Sequence, residues 1–200
     1  MVDQIGVATG VYNATTVNDQ IFEELRLSSD VALEVQHCWK AFMGAAENRE
    51  AAGETICWAL FGPRSQILGS FVAKATRFMY GLSLIIFSLT DPKGLKDAVE
   101  VLGYEHVDLL ITVPRVIILR EAIVGLLVAK MGPRLSQKAR VGFATMLNYV
   151  GGSYIFIRQR EFAIHLMITR AVAMVKQQGP LDEDLDEEGH EGGSALEEVD

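Results

Sequence analysis

Apolar side chains recur at steps of three and four residues along most of the chain. The longest such series lies between residues 65 and 89 and comprises Leu68, Phe71, Ala75, Phe78, Met79, Leu82, Ile85, Ile86 and Leu89. This spacing places apolar side chains on one face of an α-helix. No segment combines sustained alternation of apolar and polar residues with turn signals at hairpin spacing. The sequence therefore predicts an all-α protein with six or seven helices.

Capping and turn residues mark the first two helices. Residues 28–30, Ser-Ser-Asp, are good N-caps for a helix over residues 31–43. Its inward face is predicted to comprise Val31, Val35, Cys38, Trp39 and Phe42. A second helix is expected over residues 51–61, because Gly62-Pro63 ends the pattern there. Four of its side chains are predicted to point inward: Ile56, Cys57, Leu60 and Phe61.

Three further signals divide the rest of the chain. Asp91-Pro92 ends the long third helix and starts a short one, Pro114 suits the first turn of another, and Ser136 can cap the last. The remaining helices are predicted at residues 93–102, 114–131 and 136–177, the last with a bend at Gly151-Gly152. The last helix is much longer than a small domain needs, so an extension of the bundle is expected.

Charge is concentrated at the C-terminus. The formal net charge is −8, but residues 180–200 hold ten acidic and no basic side chains, which leaves 16 acidic against 18 basic residues in 1–179. A nearly neutral body without a basic groove argues against nucleic-acid binding. Four parts are therefore expected: an N-terminal arm (1–28), a helical domain (29–157), a helical extension (158–178) and an acidic, disordered tail (179–200).

Cysteine usage and hydropathy bear on the compartment. Two cysteines, Cys38 and Cys57, do not make a disulfide framework, and the N-terminus has no recognisable signal peptide, so a cytoplasmic protein is expected. The longest uncharged apolar run, residues 78–90, is shorter than the roughly 20 residues that span a bilayer. The apolar stretch 107–130 is interrupted by three charged side chains, Arg115, Arg120 and Glu121. No transmembrane segment is expected.

Four segments, in this order and spacing, resemble the globin family. They are EVQHCWKAF (34–42) and ETICWALF (54–61), similar to the first two globin helices, LGYEHVDLLITVP (102–114), similar to the helix with the proximal histidine and its exit loop, and KMGPRLSQKARVGFATML (130–147), similar to the last turn and helix. The resemblance covers roughly residues 33–157. Residues 74–147 can be aligned with neuroglobin-like chains without a gap. The implied fold is a globin-like helical bundle.

The resemblance implies that His106 is the proximal iron ligand of a haem. An imidazole can ligate iron through one nitrogen while the other bonds a carbonyl. An apolar wall around it is expected from Leu102, Leu109, Leu110 and Ile111. The alternative is a half-buried histidine whose ring is satisfied by a backbone carbonyl and binds nothing.

The distal side implied by the resemblance departs from the family. It comprises Lys74, Phe78, Cys57 and Phe71, with Lys74 where globins usually have histidine or glutamine. The alternative for Lys74 is a side chain that extends to solvent or to a haem propionate. The resemblance implies that Phe71 is the phenylalanine that packs on haem, and globins have a loop between this residue and the distal one. Phe71 and Lys74 are only three residues apart. Either Phe71 is therefore misassigned, or the corner between the third and fifth globin helices is shortened. A shortened corner would allow the haem cavity to close.

Two functions follow as expectations. The first is a haem-binding, non-enzymatic globin for diatomic gas binding, sensing or redox chemistry. The second is a globin-like structural or interaction protein that has lost its haem. It would dock into a larger assembly, or pair as a homodimer, through the last helix at residues 153–175. Nucleotide-binding, zinc-protease and hydrolase motifs are absent from the sequence.

Overall fold

The computed structural model describes residues 11–62 and 71–177. These residues contain six α-helices: α1 (Ser29–Ala45), α2 (Arg49–Phe61), α3 (Phe71–Phe87), α4 (Pro92–Glu105), α5 (Val113–Met131) and α6 (Gln137–Gln177). A 3₁₀ turn, Gly132–Arg134, joins α5 to α6. The described residues include no strand. The predicted all-α class and the number of helices are confirmed.

Local capping explains where several helices begin. The Asp91 side chain accepts a hydrogen bond from the Gly94 N–H at 3.1 Å, and Ser136 Oγ accepts one from the Ala139 N–H at 3.1 Å. These bonds satisfy donors that the first helical turn leaves without a partner. Ser28 occupies the N-cap position of α1, but its side chain makes no capping hydrogen bond.

Helix α4 is longer than predicted and ends at Glu105 instead of residue 102. Gly103 is buried inside the helix. A Cβ atom at this position would lie 2.5 Å from Ile157 Cδ1 and 3.3 Å from Tyr154 Cδ1, both on α6. Gly103 therefore lets α4 approach α6 closely, and it does not terminate the helix.

The predicted apolar faces form the interior. All five inward positions of α1 are buried, and Ile56 and Cys57 of α2 are buried as well. The side chains of Leu60 and Phe61 lie outside the described residues. Six positions of the α3 series are buried: Ala75, Met79, Leu82, Ile85, Ile86 and Leu89. Leu68 lies outside the described residues, so the face from Ala75 onward is the part of this prediction that is confirmed.

Glycines permit two close helix crossings. A Cβ on Gly53 of α2 would lie 2.8 Å from Met79 Cγ and 3.0 Å from the Ala75 carbonyl oxygen of α3. A Cβ on Gly151 of α6 would lie 2.3 Å from Val116 Cγ1 of α5. The distances to Met79 Cγ and Val116 Cγ1 are shorter than real Cβ contacts, so the helices approach closely at these points because glycine has no side chain. The glycine pair in α6 thus has a packing role.

The N-terminal segment from residue 11 to 28 has no helix until α1 begins, as expected for an arm, but it is packed against the helices. Tyr12 and Leu25 are buried, and the Tyr12 ring stands edge-on against Tyr149 of α6 at 4.8 Å. The backbone of this segment also packs closely against α6, since a Cβ on Gly152 would lie 2.0 Å from the Asn18 carbonyl oxygen. This stretch of the arm is therefore part of the core.

Helix α6 continues for 41 residues to Gln177. The chain up to Ala163 belongs to one compact unit, and a second unit begins at Ile164. All side chains from Phe162 to Met174 are exposed. Among the described helices, none is long and apolar enough to cross a membrane.

Candidate functional site

His106 lies at the C-terminal end of α4, where the helix passes into the loop before α5. Its backbone N–H donates to the Gly103 carbonyl at 3.1 Å, so the residue is the C-cap of the helix. The side chain is half-buried. The helix end therefore holds the imidazole at the margin of the interior, where it is only partly covered by protein.

Two contacts orient the His106 ring. Nδ1 lies 2.6 Å from the Leu102 carbonyl oxygen, one helical turn earlier. The ring also stacks on Tyr154 of α6, with centroids 5.2 Å apart and planes inclined by 23°. Because a carbonyl oxygen can only accept, this geometry assigns the hydrogen of the neutral imidazole to Nδ1. The lone pair of the neutral ring is then on Nε2.

No hydrogen bond to Nε2 of His106 is formed by the residues that the structure describes. An imidazole held through Nδ1, with an available Nε2, is the arrangement in which protein histidines bind metal ions. Within the same residues, no three His, Cys, Asp or Glu side chains come together to hold a metal ion. A haem iron needs only one protein nitrogen on its proximal side.

The four residues predicted to form an apolar wall around His106 differ in their exposure. Leu102 is half-buried and packs against the main core, and Ile111 is half-buried in the loop before α5. Leu109 and Leu110 are instead 54% and 53% exposed. They lie outside the core on the loop after α4, and their part in a haem-facing wall stays a prediction.

The residues predicted for the distal side lie on α2 and α3. Cys57 of α2 is buried, and this burial raises the pKa of its thiol, so it stays neutral near pH 7. Phe78 of α3 is half-buried and packs against the core. A Cβ on Gly81, one turn after Phe78, would lie 3.8 Å from Leu102 Cδ1. This contact brings α3 next to the residue that holds the His106 ring.

Two residues predicted for the distal side, Lys74 and Phe71, have side chains that the structure does not describe. Lys74 and Phe71 belong to the first turn of α3 by their backbone, but nothing further follows for their side chains. The expected shortened corner falls between Phe71 and Lys74, where the backbone is continuous helix and no loop separates the two residues. The composition of the distal wall at these points stays a prediction.

Tyr154 is the site residue that sequence reasoning missed. Its phenol ring supports the His106 imidazole from α6, and burial raises the pKa of its hydroxyl, with Glu105 adding to the effect. Nothing in the local sequence around Tyr154 indicates this contact, because it depends on how closely α4 and α6 pack at Gly103.

Comparison with protein-family models, with curated protein sequences and with solved structures gives no match to this chain.

Proposed function

We propose that this chain is a divergent globin that binds haem with His106 as the iron ligand. One observation carries the proposal: the Leu102 carbonyl, 2.6 Å from Nδ1 of His106, orients the ring and leaves Nε2 as the donor. The stacked Tyr154 ring restricts rotation of the imidazole further. A ligand pre-oriented in this way loses little conformational freedom when it binds a metal.

The placement of the globin-like segments supports the same proposal. The first lies in α1 with Trp39 fully buried, and the second lies in α2 with Cys57 buried. The histidine segment spans the end of α4 and the start of α5. The last segment covers the end of α5, the 3₁₀ turn and the start of α6. Each resembling segment therefore occupies a helix or helix junction of the kind that the resemblance implies.

The expected activity is binding and not substrate turnover. Haem would supply reversible binding of a diatomic ligand or one-electron redox chemistry. On the proximal side, Leu102 and Tyr154 would hold His106, and Leu102 and Ile111 would exclude water. On the distal side, Cys57, Phe78, Phe71 and Lys74 are the proposed lining residues. A neutral thiol and aromatic rings favour an apolar ligand over an ion.

Haem uptake by the full chain tests the proposal. Protein expressed with a haem supply, or mixed with haemin, is expected to show a Soret band at one haem per chain. His106→Ala should change or abolish that band. His37→Ala is the matched control, because His37 is exposed on α1 and should leave the spectrum unchanged. A colourless chain that takes up no haemin, or a His106→Ala spectrum identical to that of the wild type, would contradict the proposal.

A second candidate function is protein interaction without haem. It is favoured by one observation: thirteen consecutive side chains of α6, from Phe162 to Met174, are all exposed, although most of them are apolar. An exposed apolar patch of this kind marks an interaction surface. Deletion of residues 158–177 should then abolish association with partners. If the truncated chain still co-purifies with the same partners, this function is wrong.

A further inference from the structure

The part of α6 beyond Ala163 presents an apolar seam that no described residue covers. Five of its residues follow 3-4 spacing and therefore lie on one face of the helix. They are Ile164, Met167, Ile168, Ala171 and Met174, all exposed. Met167 is 69% exposed although it is among the larger apolar side chains of the segment. A seam of this type is suited to pack against another helix.

A second apolar pair lies on a different side of the helix. At 3.6 residues per turn, Phe162 and Leu166 are more than about 100° away from the centre of the seam. Both are exposed. A helix that lies on a membrane surface needs one apolar and one polar face. Apolar side chains on two sides therefore favour a protein partner over a lipid surface.

We propose that the seam pairs with the same seam of a second copy, with the two helices antiparallel. A two-fold axis at residue 169 sets Ile164 against Met174 of the partner copy and Met167 against Ala171, and it leaves Ile168 of each copy next to the axis. The same two contacts recur on the other side of the axis. In these two layers an isoleucine faces a flexible methionine and a methionine faces a small alanine, which suits close packing.

Charge selects the antiparallel orientation. Residues 158–177 carry four basic side chains and one acidic, whereas residues 180–200 carry ten acidic and no basic side chains. Parallel helices would bring two strongly acidic segments side by side. Antiparallel helices of 20 residues separate the starts of these segments by about 30 Å. In this orientation, the C-terminal end of each helix lies near Arg158 and Arg160 of the other copy. The acidic segment that follows this end is then complementary in charge to those two arginines.

This inference names the partner in the second proposed function and rests on that function, but it does not depend on haem. Solution mass measures it directly. Light scattering on the full chain at about 100 µM should give twice the chain mass of 22.0 kDa, since a short seam predicts an affinity in the micromolar range. Met167→Glu should reduce the mass to that of one chain.

Leu166→Glu is the matched control. It introduces the same charge one residue away, on the side of the helix that the seam does not use. We expect it to keep the dimer. A wild-type chain that is monomeric at this concentration would overturn the inference, as would equal effects of the two variants. If the wild type is monomeric but deletion of residues 158–177 abolishes binding to other proteins, the partner of the seam is not a second copy. The interaction function itself would then remain supported.

Disulfide trapping tests the orientation. Ile164→Cys and Met174→Cys variants, mixed and oxidised, should form a disulfide between chains, whereas each variant alone should not. In the antiparallel pair, like positions are ten residues apart along the axis, about 15 Å, which is beyond disulfide reach. Cys38 and Cys57 are buried and do not compete. Disulfides that form within either variant alone, with none between the two variants in the mixture, would indicate parallel helices. That result would overturn the proposed orientation.

Discussion

Arg120 of α5 is one of the few charged side chains that the described interior contains. Its Nη1 donates to the carbonyl oxygens of Ala14 and Thr15, each at 3.3 Å, and to Asn148 Oδ1 at 3.0 Å. Asn148 Nδ2 in turn donates to the Asn13 carbonyl at 3.0 Å. The guanidinium therefore joins α5, α6 and the N-terminal segment. Sequence reasoning treats Arg120 only as a charge that interrupts an apolar run, because the partners that join it to α6 and the N-terminal segment lie far away in the chain.

Arg120→Met should destabilise the fold by about 2–3 kcal/mol, because it leaves the buried Asn148 Oδ1 and two part-buried carbonyl oxygens without their donor. Urea denaturation measures the free energy of unfolding. Arg140→Met is the control, since Arg140 is exposed on α6 and should cost less than about 0.5 kcal/mol. Equal stability of the two variants would show that the Arg120 hydrogen bonds do not hold the N-terminal segment.

The buried tyrosines predict a loss of stability at alkaline pH. Burial raises the pKa of Tyr12, Tyr149 and Tyr154 above the ordinary value of about 10. A raised native pKa means that the folded chain favours the neutral phenol. This contribution is complete below the unfolded pKa and is lost as the pH rises above it. The phenolate absorbance of the native chain should therefore lag behind that of the chain in urea, and coincident titrations would contradict the burial of these rings.

At the scale of elements, the apolar periodicity predicts α1 and α3 well, since side-chain burial along one face is what the period encodes. The inward face of α1 is buried in full. The predicted end of α4, residue 102, lies three residues before the observed end at Glu105. Gly103 serves close packing against α6, which the local sequence does not distinguish from a helix stop.

The α2–α3 crossing provides a test at this scale. Gly53→Ala places a Cβ 2.8 Å from Met79 Cγ and 3.0 Å from the Ala75 carbonyl, so we expect the helices to be forced apart at a cost of about 1–3 kcal/mol. Gly125→Ala is the matched control on α5, where a Cβ meets nothing within 4 Å. It should stabilise the chain by up to about 1 kcal/mol through helix propensity. Thermal unfolding compares the two, and a neutral Gly53→Ala would contradict the close crossing.

At the scale of the whole molecule, the two proposed functions use different residues. Haem binding depends on His106 and its supports at Leu102 and Tyr154, all in the compact unit that ends at Ala163. Self-association depends on the seam from Ile164 to Met174. A seam variant should therefore leave haem uptake unchanged, and His106→Ala should leave the solution mass unchanged.

The sequence predicts the candidate site only in part. His106 is prominent because a lone histidine interrupts an apolar stretch, and Leu102 follows from helical spacing. Tyr154 was not predicted, since its contact joins segments far apart in the chain. The absence of nucleic-acid binding and the cytoplasmic location stay predictions, as does the composition of the distal side at Phe71 and Lys74.

The central claim is that Nε2 of His106 binds haem iron, and the iron–histidine vibration measures that bond directly. Resonance Raman spectra of the ferrous haem-loaded chain, prepared with ¹⁴N- and ¹⁵N-histidine, should show a low-frequency band that shifts with the isotope. The band should disappear in His106→Ala, return when imidazole is added and persist in His37→Ala. A haem-loaded wild type without this band, or a His106→Ala variant that keeps it, would contradict the assignment of His106 as the iron ligand.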